Sequence, residues 1–514
     1  MPIISNAFFI FVITGLFFYY LLPRKAQMPL LLLMNLLFYI SYGFKALVFI
    51  LFSICVTYVS GRWIGKVQSH VLSSEDRSLI DTMNRKCRRI LILAMVLNFG
   101  VLGVLKYTNF VFDNLNALRV VQLPHLDLLL PLGISYYTFQ SVGYLLDVYW
   151  KRVRAEEHFL RLAVFISFFP YMVQGPINRY GTLAHQLYEP HEFQWDHIRY
   201  GTLRIFWGLF KTMVLADWAA VYADTIFADP DRYAGIAGFG VLLYTVELYG
   251  NFSGGIDIII GTARLFGITM DENFRRPFFS VSISDFWRRW HITLGTWMKD
   301  YVLYPLTMSG AMKKLGRQSK QILGRKTGRN VPIALSNLIV FFLVGIWHGP
   351  TWGNVGWGLY NGIIIAFSIF MESRYRQIKQ VLHINDKSQG WHIVMILRTF
   401  LLMNLSWYFD CVDSVKTALK MIRYTLTRFD PSLFLTISAG KQGTEYTPVA
   451  LMILIAGCIV LFTVSYIQEK GIDIAGTIAK RSIILQVAIY VFLFMAAMIL
   501  GPMSAGRGFI YAQF

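Results

Sequence analysis

Apolar runs recur along the whole chain and constrain its fold more than any other feature. A helix that crosses a membrane needs about 20 consecutive, mostly apolar residues. The stretches that come near this length are Ile4–Leu22, Met28–Tyr42, Ala46–Val59, Ile90–Leu105, Leu162–Val173, Ile205–Val221, Gly238–Ile260, Val331–Trp347, Val355–Phe370, Ile393–Trp407, Val449–Tyr466 and Ile483–Leu500. Several are shorter than a full span, so we expect tilted or re-entrant segments among them.

Composition points to the same class of protein. Of the 514 residues, 55% are hydrophobic and 15% are charged, whereas soluble domains average about 25% charged residues. We therefore expect an all-α polytopic membrane protein with about 10–13 transmembrane or re-entrant helices. Because the apolar runs extend from one end of the chain to the other, we expect one membrane-embedded unit, 1–514, without a separate soluble domain.

The basic residues lie mostly between the apolar runs. A net charge of +19 would suggest nucleic-acid binding in a soluble protein. In a membrane protein, however, basic residues in short connecting segments are typical of cytoplasmic loops. No nucleic acid is expected, and membrane lipid is the expected counter-charge. The loop with Arg24 and Lys25 and the basic segment Gly61–Arg89 are both expected to be cytoplasmic, and two apolar runs separate them. The N-terminus is therefore predicted to lie outside. The first run lacks a basic n-region and a cleavage site, so it is expected to be a membrane helix.

A further basic segment, Lys313–Arg329, contains lysines and arginines but no acidic residue. One interpretation is that it only sets topology and contacts lipid headgroups. The other is that it docks an anionic donor, such as the phosphates of coenzyme A or an acidic carrier protein.

One titratable residue stands at the end of an apolar run. In Phe341–Pro350, FFLVGIWHGP, that residue is His348. Ionisable side chains at membrane depth are costly and are functional-site candidates by default. A hydrogen-bonded structural histidine at a helix end is the alternative, and this segment alone leaves both open.

Two stretches combine apolar bulk with polar side chains, Leu130–Trp150 and Tyr249–Leu306. Polar groups at membrane depth are tolerated when they are buried in protein or line a cavity, so both stretches are predicted to be cavity walls. Within the second, Ser284–Trp297 predicts an amphipathic helix with Ser284 as its N-cap. The side chains expected to share one face of that helix are Trp287, Trp290, Leu294 and Trp297. By itself this pattern also fits an interfacial helix with an aromatic anchor.

Four motifs follow one another along the second half of the chain: Gly250–Asp257, Glu272–Phe278, Phe286–His291 and then Trp347-His348-Gly349. This ordered set resembles the membrane-bound O-acyltransferase (MBOAT) family. Further matches are Pro131–Gln140, Asp147–Tyr149, Gln174–Ile177, Arg179-Tyr180, Leu405–Phe409 and Phe509–Phe514. The resemblance is strongest to the alginate O-acetyltransferase branch, and the DltB proteins of D-alanyl transfer are related to it. This chain departs from the usual pattern at Asn251–Ile256, and it has Asn361 where relatives often have histidine.

The resemblance implies a family core with a central tunnel over residues 126–371, between N-terminal helices in 1–125 and C-terminal helices in 372–514. It implies that His348 is the catalytic residue and His291 its partner. The other substrate or tunnel residues that it implies are Trp287, Arg288, Arg289, Trp290, Trp347, Asp257, Asn251, Gln174, Arg179 and Gln140.

The chemistry of such a site requires a base. A sugar hydroxyl has a pKa far above neutrality, so its attack on a thioester needs a group that takes the proton as the bond forms. Neutral imidazole suits this task, and a water-poor tunnel suppresses hydrolysis of the thioester. We expect His348 to act as this base. His291 is expected to orient the site or to stabilise the oxyanion, with Arg288 or Arg289 as a possible helper.

The function that the resemblance implies is transfer of an acyl group, most simply acetyl, from a cytosolic thioester to hydroxyls of an exported polysaccharide or cell-wall polymer. The donor would be acetyl-CoA or an acyl-carrier protein, used as a substrate without any permanently bound cofactor. The chain would be a multi-pass protein of a bacterial cell membrane and would work with an extracytoplasmic acyltransferase partner. Two alternatives stay open: D-alanyl transfer to teichoic acids from a carrier protein, and a transporter or flippase without chemistry.

No metal site is expected. The cysteines are far apart and lack CxxC spacing, so neither a disulfide framework nor a zinc site is indicated. His191 and His197 lie near two acidic residues, but they lack the helical HxxxH spacing that two ligands on one helix face would have.

Overall fold

The computed structural model describes residues 1–72, 76–119, 121–434, 437 and 448–502, and helices make up most of them. Within these residues, eight helices are long and apolar enough to cross a membrane. They are Phe44–His70, Arg77–Ala117, Trp195–Ala228, Val331–His348, Trp352–Val381, Gln389–Asp410, Pro448–Glu469 and Ile483–Leu500. The predicted all-α polytopic membrane fold is therefore confirmed. The sequence motif Phe509–Phe514 lies outside the described residues.

The described chain divides into two compact units, and the first comprises Met1–Trp207 and Gly255–Asp271. Its helices are α1 (Asn6–Leu21), α2 (Gln27–Ile40), α3 (Phe44–Leu72), α4 (Arg77–Ala117), α5 (Ile134–Tyr149), α6 (Phe159–Ser167), α7 (Tyr180–Tyr188), most of α8 (Trp195–Leu209) and the end of α10 (Ala237–Leu265). Helix α5 forms its centre, because every residue from Ile134 to Val148 is buried. Burial in protein is the condition under which the polar groups of this stretch are tolerated.

Gly133 explains the tight start of α5. It has a left-handed backbone with φ of 70°, and an added Cβ would lie 2.2 Å from the Met172 carbonyl oxygen. Glycine meets both demands, since it has no Cβ and tolerates positive φ.

The second unit comprises Gly208–Gly254 and the described residues from Glu272 onward. Besides the start of α10, its helices are α9 (Asp217–Ala228), α11 (Ile283–Arg289), α12 (Ile292–Met298), α13 (Tyr304–Thr307), α14 (Gly310–Gly328), α15 (Val331–His348), α16 (Trp352–Val381), α17 (Gln389–Asp410), α18 (Val415–Thr427), α19 (Pro448–Glu469), α20 (Ile474–Ala479) and α21 (Ile483–Leu500). Two segments are π-helical, Phe210–Ala216 and Lys299–Leu303.

Several boundaries differ from the sequence predictions. Helices α3 and α4 extend well beyond their apolar runs into the basic segment Gly61–Arg89, where charged side chains leave the backbone free to stay helical. The run Leu162–Val173 forms the shorter α6 and then a 3₁₀ turn at Phe169–Tyr171. The basic segment that follows Lys313 is helical, and Gly324 interrupts it with φ of 79°.

The prediction of one continuous helix over Ser284–Trp297 is wrong. The chain breaks between α11 and α12, and His291 takes a left-handed conformation with φ of 46°. Trp290 leaves the helix to form an antiparallel bridge with Phe274. Ser282, not Ser284, is the N-cap, because its hydroxyl accepts the Asp285 N–H at 3.1 Å. Helical periodicity in the sequence did not reveal this break, because the competing backbone partner lies in another segment.

Candidate functional site

His348 is the last residue of α15 and is 4% exposed. Its imidazole packs against two indoles, with ring centroids 5.2 Å from Trp347 and 4.6 Å from Trp357. Trp357 belongs to α16, which runs closely against α15. The sequence analysis did not single out Trp357, although it lies four residues before Asn361.

The close approach of α15 and α16 depends on glycine. A Cβ on Gly358 would lie 2.4 Å from the Phe341 carbonyl oxygen, and one on Gly345 would lie 2.5 Å from the Asn354 carbonyl oxygen. Real Cβ atoms do not approach other atoms so closely. Small residues let the two backbones touch, and this contact lies one turn before His348.

A cluster of tryptophans surrounds the histidine. Trp357 lies 5.4 Å from Trp287 and 6.3 Å from Trp407, in each case between ring centroids. Trp290 is 2% exposed and lies 5.6 Å from Trp407. The second unit therefore brings together both histidines and three of the sequence-predicted tunnel residues, Trp287, Trp290 and Trp347. Trp357 and Trp407 are added to them. The additional residues come from α16 and α17, whose place beside α11 was not visible in the sequence.

His291 lies at the break between α11 and α12 and is 3% exposed. Its ring centroid is 4.9 Å from Phe252 and 6.0 Å from Trp347. Its Nδ1 atom lies 3.2 Å from Oδ1 of Asn273. Burial lowers the pKa of His291 well below its usual value, and the charge of His348 lowers it further. His291 is therefore neutral at physiological pH.

Asn273 is a site residue that sequence reasoning missed. Its side chain is completely buried, and its Oδ1 accepts hydrogen bonds from the backbone N–H and the hydroxyl of Thr293 at 3.0 and 2.9 Å. The signal was present, since Asn273 lies in the Glu272–Phe278 motif of the resemblance. Its distance along the chain from His291 hid the contact.

The two predicted arginines take part in ion pairs with carboxylates. Arg289 contacts Asp285 at 3.2 Å and Glu469 at 2.9 Å, and Arg276 joins the same Glu469 at 2.5 Å. This network ties the end of α11 to the end of α19. The Arg288 side chain is 74% exposed and lies 3.7 Å from Asp285. A helping role for either arginine at an oxyanion stays a prediction.

The remaining predicted residues are buried or half-buried elsewhere. Asn251 is buried in the second unit, next in sequence to Phe252, which contacts His291. In the first unit, Asp257 pairs with Arg204 at 3.0 Å, and Gln140 is buried in α5. The first unit also holds Gln174 and Arg179. Gln174 is completely buried, and neither of its amide atoms has a hydrogen-bond partner among the described residues.

The fold and the histidine pair define a class of protein: a multi-pass membrane protein with two buried imidazoles lined by indoles. The model of the MBOAT, membrane-bound O-acyltransferase, family matches residues 152–409. The chain belongs to the MBOAT family and is an O-acyltransferase.

Comparisons with individual proteins agree with the family. The chain is 32% identical to a probable alginate O-acetylase AlgI of Pseudomonas syringae pv. tomato, over 81% of this chain and 73% of that protein. It is 31% identical to a peptidoglycan O-acetyltransferase of Helicobacter pylori, over 81% and 77%. It is 29% identical to a teichoic acid D-alanyltransferase of Bacillus subtilis, over 50% and 63%. These relatives confirm the resemblance to the alginate O-acetyltransferase branch and to DltB.

Proposed function

We propose that this protein transfers an acetyl group from a cytosolic thioester toward hydroxyls of an exported polysaccharide or cell-wall polymer, with His348 as the general base. The observation that carries this proposal is the burial of His348 between Trp347 and Trp357, at the end of a spanning helix, with the ring of His291 also against the indole of Trp347. The relatives that align over four-fifths of the chain are named as acetylases or acetyltransferases, which supports acetyl as the group.

The proposed reaction uses the site in a simple way. The imidazole of His348 takes the proton of the acceptor hydroxyl as its oxygen attacks the thioester carbonyl. The C–O bond of the ester forms, the C–S bond breaks, and the thiol leaves with a proton. The surrounding indoles exclude water, which would otherwise hydrolyse the thioester.

D-alanyl transfer is the second candidate, and the match to the teichoic acid D-alanyltransferase supports it. That match covers half of the chain, whereas the acetyltransferase matches cover 81%. In either case the protein lies in a bacterial cell membrane with its N-terminus outside, and an extracytoplasmic acyltransferase partner passes the group to the polymer. A transporter without chemistry has no comparable support.

The test of the function is His348→Ala in cells, with the O-acetyl content of surface polymers measured by NMR and mass spectrometry. We expect loss of acetylation at an unchanged protein level, because a general base contributes on the order of 10²–10⁴-fold to rate. The matched control is His392→Ala, which removes an exposed histidine from α17. Full acetylation in the His348 variant would overturn the proposal, and D-alanine in place of acetyl would favour the second candidate.

We further propose that the donor's anionic part docks at a basic cavity on α14. The cavity has a volume of about 340 Å³, and among its lining residues are Lys313, Arg317, Lys320 and Arg329. Helix α15 begins beside it and ends at His348, about 25 Å away at 1.5 Å per residue. A donor that fits is elongated, with phosphates at one end and the thioester at the other, as in coenzyme A or the prosthetic arm of an acyl-carrier protein.

The donor proposal is tested with Lys313→Gln/Arg317→Gln in membrane vesicles supplied with radiolabelled acetyl-CoA. We expect KM for acetyl-CoA to rise and kcat to stay close to that of the wild type, since the charges bind the donor without taking part in the reaction. Arg88→Gln/Arg89→Gln removes the same charge from exposed positions on α4. An equal rise of KM in both double variants would show a general electrostatic effect and contradict the assignment.

A further inference from the structure

Asn273 stands at the point where the chain breaks beside His291. Its backbone carbonyl accepts the Ile292 N–H at 3.0 Å, and its side-chain Oδ1 accepts both the N–H and the hydroxyl of Thr293. The left-handed backbone of His291 costs about 1–2 kcal/mol. Such conformations persist where surrounding contacts over-determine them, typically at functional sites. Asn273 supplies these contacts on the C-terminal side of His291.

The hydrogen bonds at Asn273 assign the proton of His291. A backbone N–H can only donate, so the amide atom that faces Thr293 N must be the oxygen and not the NH₂ group. The same oxygen lies 3.2 Å from Nδ1 of His291. Because an amide oxygen cannot donate, Nδ1 must carry a hydrogen. A neutral imidazole has one ring proton, which leaves the lone pair on Nε2.

We propose that Asn273 is a positioning residue that holds neutral His291 in its Nδ1–H tautomer, so that Nε2 takes part in acyl transfer as a hydrogen-bond acceptor. This inference rests on the proposed function and changes the expected role of His291. A neutral ring in this tautomer cannot donate to an oxyanion from Nε2. It can accept a hydrogen bond from the acceptor hydroxyl or from the imidazole of His348, and so help to draw the proton away.

The surroundings of His291 keep the ring neutral. The groups packed around it are Asn273 and Thr293, the rings of Phe252 and Trp347, and His348 on α15, whose charge acts on it. A positive charge on His348 disfavours a charge on His291. Activity is therefore expected to fall when the pH drops far enough to protonate His291.

The tautomer can be measured without activity. Full-length protein in detergent, labelled with ¹⁵N-histidine, is compared with a His291→Gln variant to identify the His291 signals. We expect a protonated Nδ1 and an unprotonated Nε2 in the wild type. A protonated Nε2 in the wild type would overturn the proposal. This measurement does not depend on acyl transfer. The His348→Ala experiment tests the proposed function, and the NMR measurement tests the tautomer, so one proposal can fail without the other.

Two variants test the role in the reaction, using the pH profile of acetyl transfer from acetyl-CoA in membrane vesicles. Asn273→Asp keeps the oxygen acceptors and adds a negative charge beside Nδ1, which favours protonated His291. We expect the low-pH loss of activity to move up by about one unit or more. Asn273→Leu removes the acceptor, and we expect kcat to fall on the order of 10²-fold with little change in KM.

The matched control is Asn404→Asp. Asn404 is also buried, and its Oδ1 accepts the Thr245 hydroxyl at 2.9 Å. A merely structural role for Asn273 predicts that the pH profile of Asn273→Asp stays with that of the wild type. That result, or an equal shift in the Asn404 variant, would overturn the proposal.

Discussion

Asn361 joins two of the tryptophans that surround the histidines. It is completely buried, its Oδ1 accepts the indole N–H of Trp287 at 3.3 Å, and its Nδ2 donates to the Ser406 hydroxyl at 2.7 Å and to the Trp357 carbonyl at 2.9 Å. The sequence marked this position as a departure from relatives, where histidine is frequent. In this chain, an amide provides an acceptor on one side and donors on the other. A neutral imidazole also offers one of each, so the two residue types can fill similar positions.

Replacement of Asn361 by leucine is expected to destabilise the protein by about 1–3 kcal/mol, because it leaves the half-buried Trp287 N–H without its acceptor. Acyl transfer should fall as well, since Trp287 loses its orientation. Thermal unfolding of the purified protein measures the first effect. The control is Asn337→Leu, since among the described residues the Asn337 side chain bonds only to the Ile333 carbonyl of its own helix, at 2.8 Å in an exposed setting. Equal destabilisation of both variants would contradict this assignment.

At the scale of elements, the contact of α15 with α16 places His348 against Trp357. Backbone contact at Gly345 and Gly358 replaces the side-chain packing that larger residues would give. In a membrane, helices associate through packing and hydrogen bonds because lipid is as apolar as the side chains. The position of the imidazole therefore depends on two residues without side chains.

Gly358→Ala is expected to force α15 and α16 apart. Overpacking of this kind costs about 1–3 kcal/mol, and displacement of His348 from Trp357 should lower kcat more than it raises KM. Steady-state kinetics and a thermal unfolding curve provide the measurements. Gly103→Ala is the matched control in α4, because its added Cβ meets nothing within 4 Å. Wild-type behaviour of Gly358→Ala would show that the two helices tolerate separation.

For the whole molecule, the distribution of basic residues predicts the orientation of the chain in the membrane. The positive-inside rule predicts that the basic ends of α3 and α4 and the basic helix α14 face the cytoplasm. If α1, α2 and α3 each cross the membrane once, the N-terminus is predicted to lie outside.

Single cysteines test this orientation in a background with the four native cysteines replaced. A membrane-impermeant thiol reagent should label Asn6→Cys in intact cells, whereas Gln321→Cys on α14 should react only after the membrane is permeabilised. Both positions are exposed, so access of the reagent depends on the side of the membrane. The reverse pattern would invert the topology, and with it the side from which the donor enters.

Most of the helices and the identity of the two histidines could be predicted from the sequence. Apolar runs are local, and each one specifies a helix wherever it lies in the chain, which is why α1, α15 and α21 agree with their predictions within two residues. His348 was recognisable because an imidazole after such a run is costly. The motifs predicted the family, and the comparisons confirm it. The roles of the site residues stay predictions, and so do the divisions at 1–125, 126–371 and 372–514.

Other features were decided by the tertiary structure. The break at His291 overrides a good helical pattern, because Phe274 and Asn273 offer backbone partners from a segment that lies 18 residues earlier. The same contact selects the tautomer of His291, since only the geometry around one amide oxygen tells which ring nitrogen holds the proton. Local sequence determines where apolar helices form. Hydrogen bonds between distant segments determine how the two imidazoles are oriented, and no periodicity in the sequence predicts such bonds.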